Sequence, residues 1–236
     1  MKKFVWMTVL LSVWGWSAEV YATFRVEAAK SADLAFSSSG IVKEIYVEVG
    51  SAVKEGETLV SLINDDLQAL NQSAKIAERY AQKDLQRQEK VKSVIDEAQY
   101  DQYRFKYENA KAQAAYQQAM LDKTELKAPF EGVIFEKMVE RGDVVSGAMI
   151  RTILKIQSLR ERKLVLSFDQ KYYAAVKPGD TFSYTVDGDD TTYQGKIVKV
   201  YPSVDEESRK AMAEVEASDL MPGLFGEGMI TTTEAK

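Results

Sequence analysis

The sequence predicts a mostly β fold carrying an α-helical hairpin: a β-unit in two halves split by an antiparallel coiled coil, then a small β-barrel. Three observations predict it. A β-motif occurs twice, about ninety residues apart, as SGIVKEIYVEVGSAVKEGETLVSL from Ser39 to Leu62 and EGVIFEKMVERGDVVSGAMIRTIL from Glu131 to Leu154. Between the copies lies a polar stretch with helical periodicity. After the second copy come short apolar runs punctuated by Gly and Pro. Gly40 aligns with Gly132, Ile41 with Val133, Val47 with Val139, Gly50 with Gly142 and Val53 with Val145. A repeated unit buries its apolar face against its own copy. Two halves that must meet force the chain between them to leave and return.

The elements follow in order. Lys2 and Lys3, an apolar run from Phe4 to Trp16 and the small-x-small triplet Val20-Tyr21-Ala22 form the three-part pattern of a cleaved secretory signal peptide, residues 1–22. Phe24 to Val26 reads as a short strand entering the fold. Leu34 to Leu62 reads as β, with alternation around Ile45-Tyr46-Val47-Glu48-Val49 and turns at Gly50 and Gly56. At Asn64-Asp65-Asp66 a helix N-cap appears. The stripe Leu67, Leu70, Ala74, Ala77, Ala81 and Leu85 marks a first exposed helix. Asp96-Glu97-Ala98-Gln99 has capping-box spacing and opens a second. Its positions Tyr100, Tyr103, Tyr107, Ala110, Ala114, Gln117 and Leu121 alternate steps of three and four, a heptad seam. Pro129 requires the helix to end earlier, with an exit over Thr124 to Lys127. Two helices of about 25 residues, turning near Lys92 to Ile95, make a hairpin ~35–40 Å long. The high polarity outside each stripe leaves no second apolar face for a bundle.

Past Ser158, strands are expected at Arg162 to Phe168, Thr181 to Val186, Gly195 to Tyr201, Ala211 to Val215 and Met229 to Thr232, with a helical turn at Asp169 to Ala175. The expected domains are thus a signal peptide at 1–22, a two-part β-domain at 23–63 and 126–157, a helical hairpin at 64–125 and a β-barrel at 158–236.

Composition excludes several functions. There are 236 residues, 31 basic against 36 acidic, with no cysteine and no histidine. Disulfides, thiolate metal sites and cysteine nucleophiles are excluded, and the commonest general base and metal ligand are missing. The near balance of charge argues against nucleic acid as a partner. Asp187-Gly188-Asp189-Asp190 and Asp205-Glu206-Glu207 are the densest acidic clusters and read as solvated turns. No catalytic, cofactor or metal site is expected, and the protein is read as a non-enzyme. No segment after the leader is long and apolar enough to cross a bilayer.

The order of parts resembles the periplasmic adaptor, or membrane fusion protein, family. Ser39-Gly40-Ile41-Val42 through Gly50-Ser51-Ala52-Val53-Lys54-Glu55-Gly56 looks like a first lipoyl half-motif. Leu126-Lys127-Ala128-Pro129-Phe130-Glu131-Gly132-Val133-Ile134 looks like the entry to the second. Val176-Lys177-Pro178-Gly179-Asp180, Tyr193-Gln194-Gly195-Lys196-Ile197, Pro202-Ser203-Val204-Asp205 with Ser208-Arg209, and Pro222-Gly223-Leu224-Phe225-Gly226 look like landmarks of the adaptor barrel.

The resemblance implies a lipoyl-like barrel-sandwich hybrid closed by the two halves, and a hairpin directed at an outer-membrane channel. It also implies a barrel nearer an inner-membrane transporter, and self-assembly into a ring in the periplasm. Family members that dock a channel often carry an arginine, a leucine and a serine at set spacing around the hairpin tip. Here Arg87 and Val91 stand at the first two positions. Asp96 stands at the third, with Ser93 in the turn, so the match is incomplete. Few residues follow Phe225, so the further membrane-proximal domain of many members is expected to be absent. The short hairpin and cleavable signal favour a resistance-nodulation-division transporter, with an ATP-driven exporter as the alternative. A lipoyl or biotinyl carrier is the remote one, because Asn64-Asp65-Asp66 and the helices stand where the carrier lysine turn would be.

Overall fold

The computed structural model describes residues 18–91 and 96–232. In chain order the elements are β1 (Glu19–Ala28), β2 (Ser31–Leu34), β3 (Gly40–Ile45), β4 (Ala52–Val53), β5 (Thr58–Leu62), α1 (Asp65–Glu89) and α2 (Glu97–Asp122). There follow β6 (Glu125–Lys127), β7 (Gly132–Lys137), β8 (Val144–Val145), β9 (Leu154–Gln157), β10 (Glu161–Asp169), a 3-10 turn (Gln170–Tyr172), β11 (Thr181–Val186), β12 (Thr192–Asp205), β13 (Lys210–Ser218) and β14 (Phe225–Thr231). They form two compact units, one spanning residues 31–159 and the other built from the flanking segments. The fold is the expected mostly β architecture with a helical hairpin.

The first unit is a sandwich of two four-stranded sheets, ordered β2-β9-β7-β4 and β6-β5-β3-β8. The repeat explains both. The short strand of each copy pairs with the long strand of the other, Val53 opposite Gly132 and Val145 opposite Gly40. The hydrogen bonds repeat too: Gly50 N donates to Ile134 O at 2.7 Å, and Gly142 N to Val42 O at 2.9 Å. Gly50 and Gly142 have φ near +93° and +92°, where a side chain would be strained. Between the sheets lie Val42, Leu59, Leu62, Ile134, Leu154 and Ile156, all fully or almost fully buried. Neither half has a sheet of its own to close; each is completed by its copy.

The second unit is a closed six-stranded barrel in the order β1-β10-β13-β12-β11-β14, sealed by β14 against β1. Alternation puts one face of every strand inside. Val20, Ala22, Phe24 and Val26 of β1 are all buried there, with Leu164, Leu166, Phe168, Phe182 and Ile230. Phe24 meets Phe182 edge-on at 5.8 Å, and Phe182 stacks on Tyr184 at 5.3 Å. The strands expected from 162 onward all form, most of them longer than expected.

Two expectations change here. Residues 23–28, assigned to the sandwich, lie in barrel strand β1. The boundary after residue 22 also falls inside that strand, since β1 starts at Glu19. Two of its inward residues, Val20 and Ala22, also satisfy the small-x-small pattern of a leader end.

The helices follow the expected limits closely, but the α1 stripe shifts. Leu67, Ala74, Ala81 and Leu85 face the partner helix side, whereas Leu70 and Ala77 are exposed and Asn71 is buried. The expected stripe also steps by three and four; it shares 67, 74, 81 and 85 with the observed seam and differs in which residues fill the steps between. The observed series is 67, 71, 74, 78, 81 and 85, which takes the step of four before the step of three. The α2 seam needs no revision: every expected position is at least partly buried and Ala114 is the most enclosed. Asp96 is the N-cap residue of α2, but its carboxylate makes no capping hydrogen bond, so the expected capping box does not form.

Candidate functional site

The hairpin is anchored where it leaves the sandwich. Leu62 N donates to Thr124 O at 2.9 Å and Ile63 N to Ile41 O at 2.9 Å. The Asn64 side-chain amide donates to Thr124 Oγ1 at 2.8 Å, and that hydroxyl donates to Leu121 O at 2.7 Å. Asn64 and Thr124 are both buried, so this polar knot ties the start of α1 to the end of α2 in a low-dielectric setting. Asn64 was expected as a helix cap. It occupies that position, but its side chain donates to Thr124 just past α2 and accepts from the Gln68 side chain, instead of from the α1 backbone N–H groups.

Further out, Asn71 Nδ2 and Lys75 Nζ both donate to Gln118 Oε1, at 2.9 and 2.6 Å. Near the far end, Asp84 lies 3.8 Å from Lys106. These pairs descend α2 as they ascend α1, which is the antiparallel order. Sequence reasoning missed Asn64–Thr124 and Asn71–Gln118. A heptad whose first step from Leu67 is four residues places Asn71 in the seam.

The candidate docking residues sit at that far end. Arg87 lies in the last turn of α1, where a cation complements the helix dipole, and pairs with Asp84 one turn back. Its side chain remains mostly exposed. Val91 follows the end of α1 and is exposed, an apolar side chain with no core to join. Asp96 is exposed at the N-cap of α2. The hairpin brings these three to one end. Ser93 lies outside the described residues. Together they offer a cation, an apolar contact and a carboxylate on the ends of two rigid helices. Such a set can make ionic, polar and apolar contacts with a surface.

The acidic clusters serve local structure. Asp189 accepts from Thr191 N at 2.9 Å and from the Tyr193 hydroxyl at 2.8 Å, and the Thr191 bonds hold its carboxyl below the usual range. Asp205 accepts from Ser208 N at 2.7 Å and from the Ser208 hydroxyl at 2.6 Å, with the same effect. Among the described residues no group of three or more Asp, Glu, His or Cys converges as a metal site. Among them, too, no helix is long and apolar enough to cross a membrane.

Residues 30–154 match the family model described as CzcB-like, barrel-sandwich hybrid domain. The chain belongs to this CzcB-like family. The matched residues hold both copies of the repeat and the hairpin between them. Solved structures share the fold over most of the chain. A MacA-MexA chimeric protein containing the Pseudomonas aeruginosa MexA α-hairpin domain is 24% identical, with a TM-score of 0.82 over 94% of this chain and 85% of the other. MacA from Actinobacillus actinomycetemcomitans is 20% identical, with a TM-score of 0.76 over 98% and 83%. The membrane fusion protein Spr0693 from Streptococcus pneumoniae R6 is 20% identical, with a TM-score of 0.71 over 92% and 100%. No curated protein matches the sequence. The CzcB-like chain therefore has the membrane fusion protein fold, in both its sandwich-and-hairpin unit and its barrel.

Proposed function

We propose that this CzcB-like protein is a non-catalytic periplasmic adaptor of an efflux system. It joins an inner-membrane transporter to an outer-membrane channel by assembling with copies of itself into a ring. The reading assigns docking on the channel to the hairpin tip, at Arg87, Val91 and Asp96, with Ser93 in the turn between. One observation carries it: a coiled coil, tied at its base by the Asn64–Thr124 knot, holds Arg87, Val91 and Asp96 exposed together at its far end. Rigidity at the base preorganises the tip and lowers the entropic cost of docking. Export by a cleaved leader puts the chain in the compartment where such a bridge is needed.

The transporter is assigned to the resistance-nodulation-division class, on the short hairpin and the leader. The chain has no cysteine, so a single introduced thiol reports one position cleanly. With Val91→Cys and a thiol-directed photocrosslinker in the native envelope, an outer-membrane channel is the expected adduct. A second cysteine on the barrel is expected to capture the transporter. A tip thiol that captures no envelope protein would sink the docking assignment. Recovery of an ATP-driven exporter at the barrel would reassign the transporter and leave the adaptor reading intact.

A further inference from the structure

The first strand of the barrel bears on where the leader ends. Two bonds carry the small-x-small pattern that signal peptidase requires: Ala22–Thr23, after Val20-Tyr21-Ala22, and Ser17–Ala18, after Gly15-Trp16-Ser17. Sequence alone favours the first. The fold needs the residues that such a cut removes. Glu19 to Ala22 supply four of the seven paired positions between β1 and β14. Val20 and Ala22 are both at 0% exposure in the barrel core. The Tyr21 hydroxyl donates to Glu227 at 2.6 Å.

Ala18 is held as well. Its N–H donates to Thr232 Oγ1 at 3.3 Å. Its carbonyl accepts from Thr232 N at 3.1 Å and from the Thr232 hydroxyl at 3.2 Å. Thr232 is fully buried, so losing Ala18 would remove these partners from a polar group that water does not reach. A cut after Ala22 would also expose the outer half of β14 as an unpaired edge, the usual template for aggregation.

We propose that the leader is removed at the Ser17–Ala18 bond, so that the mature protein begins at Ala18 and keeps β1 whole. The assignment rests on the reading that the chain is exported. Hydrolysis consumes one water. The Ser17 carbonyl carbon takes its oxygen and leaves as a carboxylate on the leader. The Ala18 nitrogen becomes a protonated amine that still has hydrogens to donate to Thr232. The leader then ends where the fold starts, one residue ahead of the first barrel strand.

The test is N-terminal sequencing and intact mass of the full chain, expressed with its own leader in a Gram-negative host and recovered from the periplasm. A mature N-terminus at Ala18 is expected. One at Thr23 overturns the proposal and leaves export standing. An unprocessed chain retained in the cytoplasm overturns both. Ser17→Arg puts a bulky charge beside the scissile bond and is expected to abolish the mature band; processing at the wild-type rate overturns the assignment. Chains beginning at Ala18 and at Thr23, made without a leader, separate the structural cause. The shorter one is expected to melt about 10 °C lower or more. Equal melting temperatures would remove the reason for retaining residues 18–22.

Discussion

The glycine that opens each half of the sandwich shows how closely the two copies approach, and where their symmetry fails. A Cβ on Gly132 would lie 2.4 Å from the backbone oxygen of Gln157, which cannot move without displacing β9. A Cβ on Gly40 would meet the Leu62 side chain, tightest at a terminal methyl 3.1 Å away and otherwise at ordinary contact distance. Gly132→Ala is therefore expected to destabilise by about 1–3 kcal/mol and Gly40→Ala by less than ~1 kcal/mol. Thermal melts of the two variants check this, and equal shifts would contradict it.

A second residue-scale effect concerns pH. On the barrel the Tyr201 hydroxyl donates to Glu214, which raises the phenol from 10.0 to about 12; burial adds to the rise. The same bond holds the Glu214 carboxyl below its usual range, helped by Lys163 and Lys199. A phenol raised in the folded state contributes stability that is full below pH 10.0 and is lost as pH climbs through about 12. The depressed carboxyl contributes above its unfolded value and is lost as pH falls through its lower folded one. Tyr201→Phe removes the alkaline loss and weakens the acid one. Denaturant melts across pH are expected to show a flatter alkaline limb in this variant. An unchanged limb would mean that the pair is broken in solution.

Among elements, the hairpin depends on its alanines. Ala114 and Ala81 are the most enclosed apolar residues of the two helices, and their small side chains let the backbones approach. Ala114→Glu buries a carboxylate with no partner and is expected to cost ~3 kcal/mol and splay the helices. Circular dichroism and melting of the full chain check this; wild-type helicity and melting would remove Ala114 from the seam.

Legibility in the sequence differed between these elements for physical reasons. The α2 seam could be read because tyrosines and alanines alternate with charged residues at a fixed period. The α1 seam was harder because Asn71 and Glu78 occupy its positions while Leu70 and Ala77 lie outside it, so hydropathy pointed one residue away. The first half of β1 was hidden because Val20-Tyr21-Ala22 satisfies a protease and a barrel interior equally well. Nothing local says that its pairing partner is β14 at the other end of the chain. Arg87, Val91, Ser93 and Asp96 were singled out through a family resemblance, since an exposed helix end carries no periodic signal.

For the whole molecule, recognition and stability are separated. The core of the first unit lies between the sheets, whereas the tip residues are exposed and make no core contact. Substitutions there are expected to leave folding intact, within about 0.5 kcal/mol for surface positions. A triple variant, Arg87→Ala, Val91→Ala and Asp96→Ala, is expected to lose most export activity in a drug or metal susceptibility assay and to melt like the parent. Full activity in that variant would show that docking lies elsewhere.

The exchanged strands also set an order in time. Val53 must find Gly132 across 79 residues of chain, and Gly40 must find Val145 across 105. Closing so long a loop costs entropy before any contact repays it, although the cost grows only slowly with length. The helices in between need no such search, because their contacts begin at the turn and zip toward the base. On a growing chain the first copy must wait, unpaired, until α2 and then the second copy have been made. Once zipped, the coiled coil delivers the second copy beside the first and shortens the effective loop to a few residues. Ala114→Glu is accordingly expected to slow refolding of the sandwich more than it speeds unfolding, as read from the two arms of a chevron plot. The same helices that reach outward in the finished protein would then be the tether that brings its two halves together.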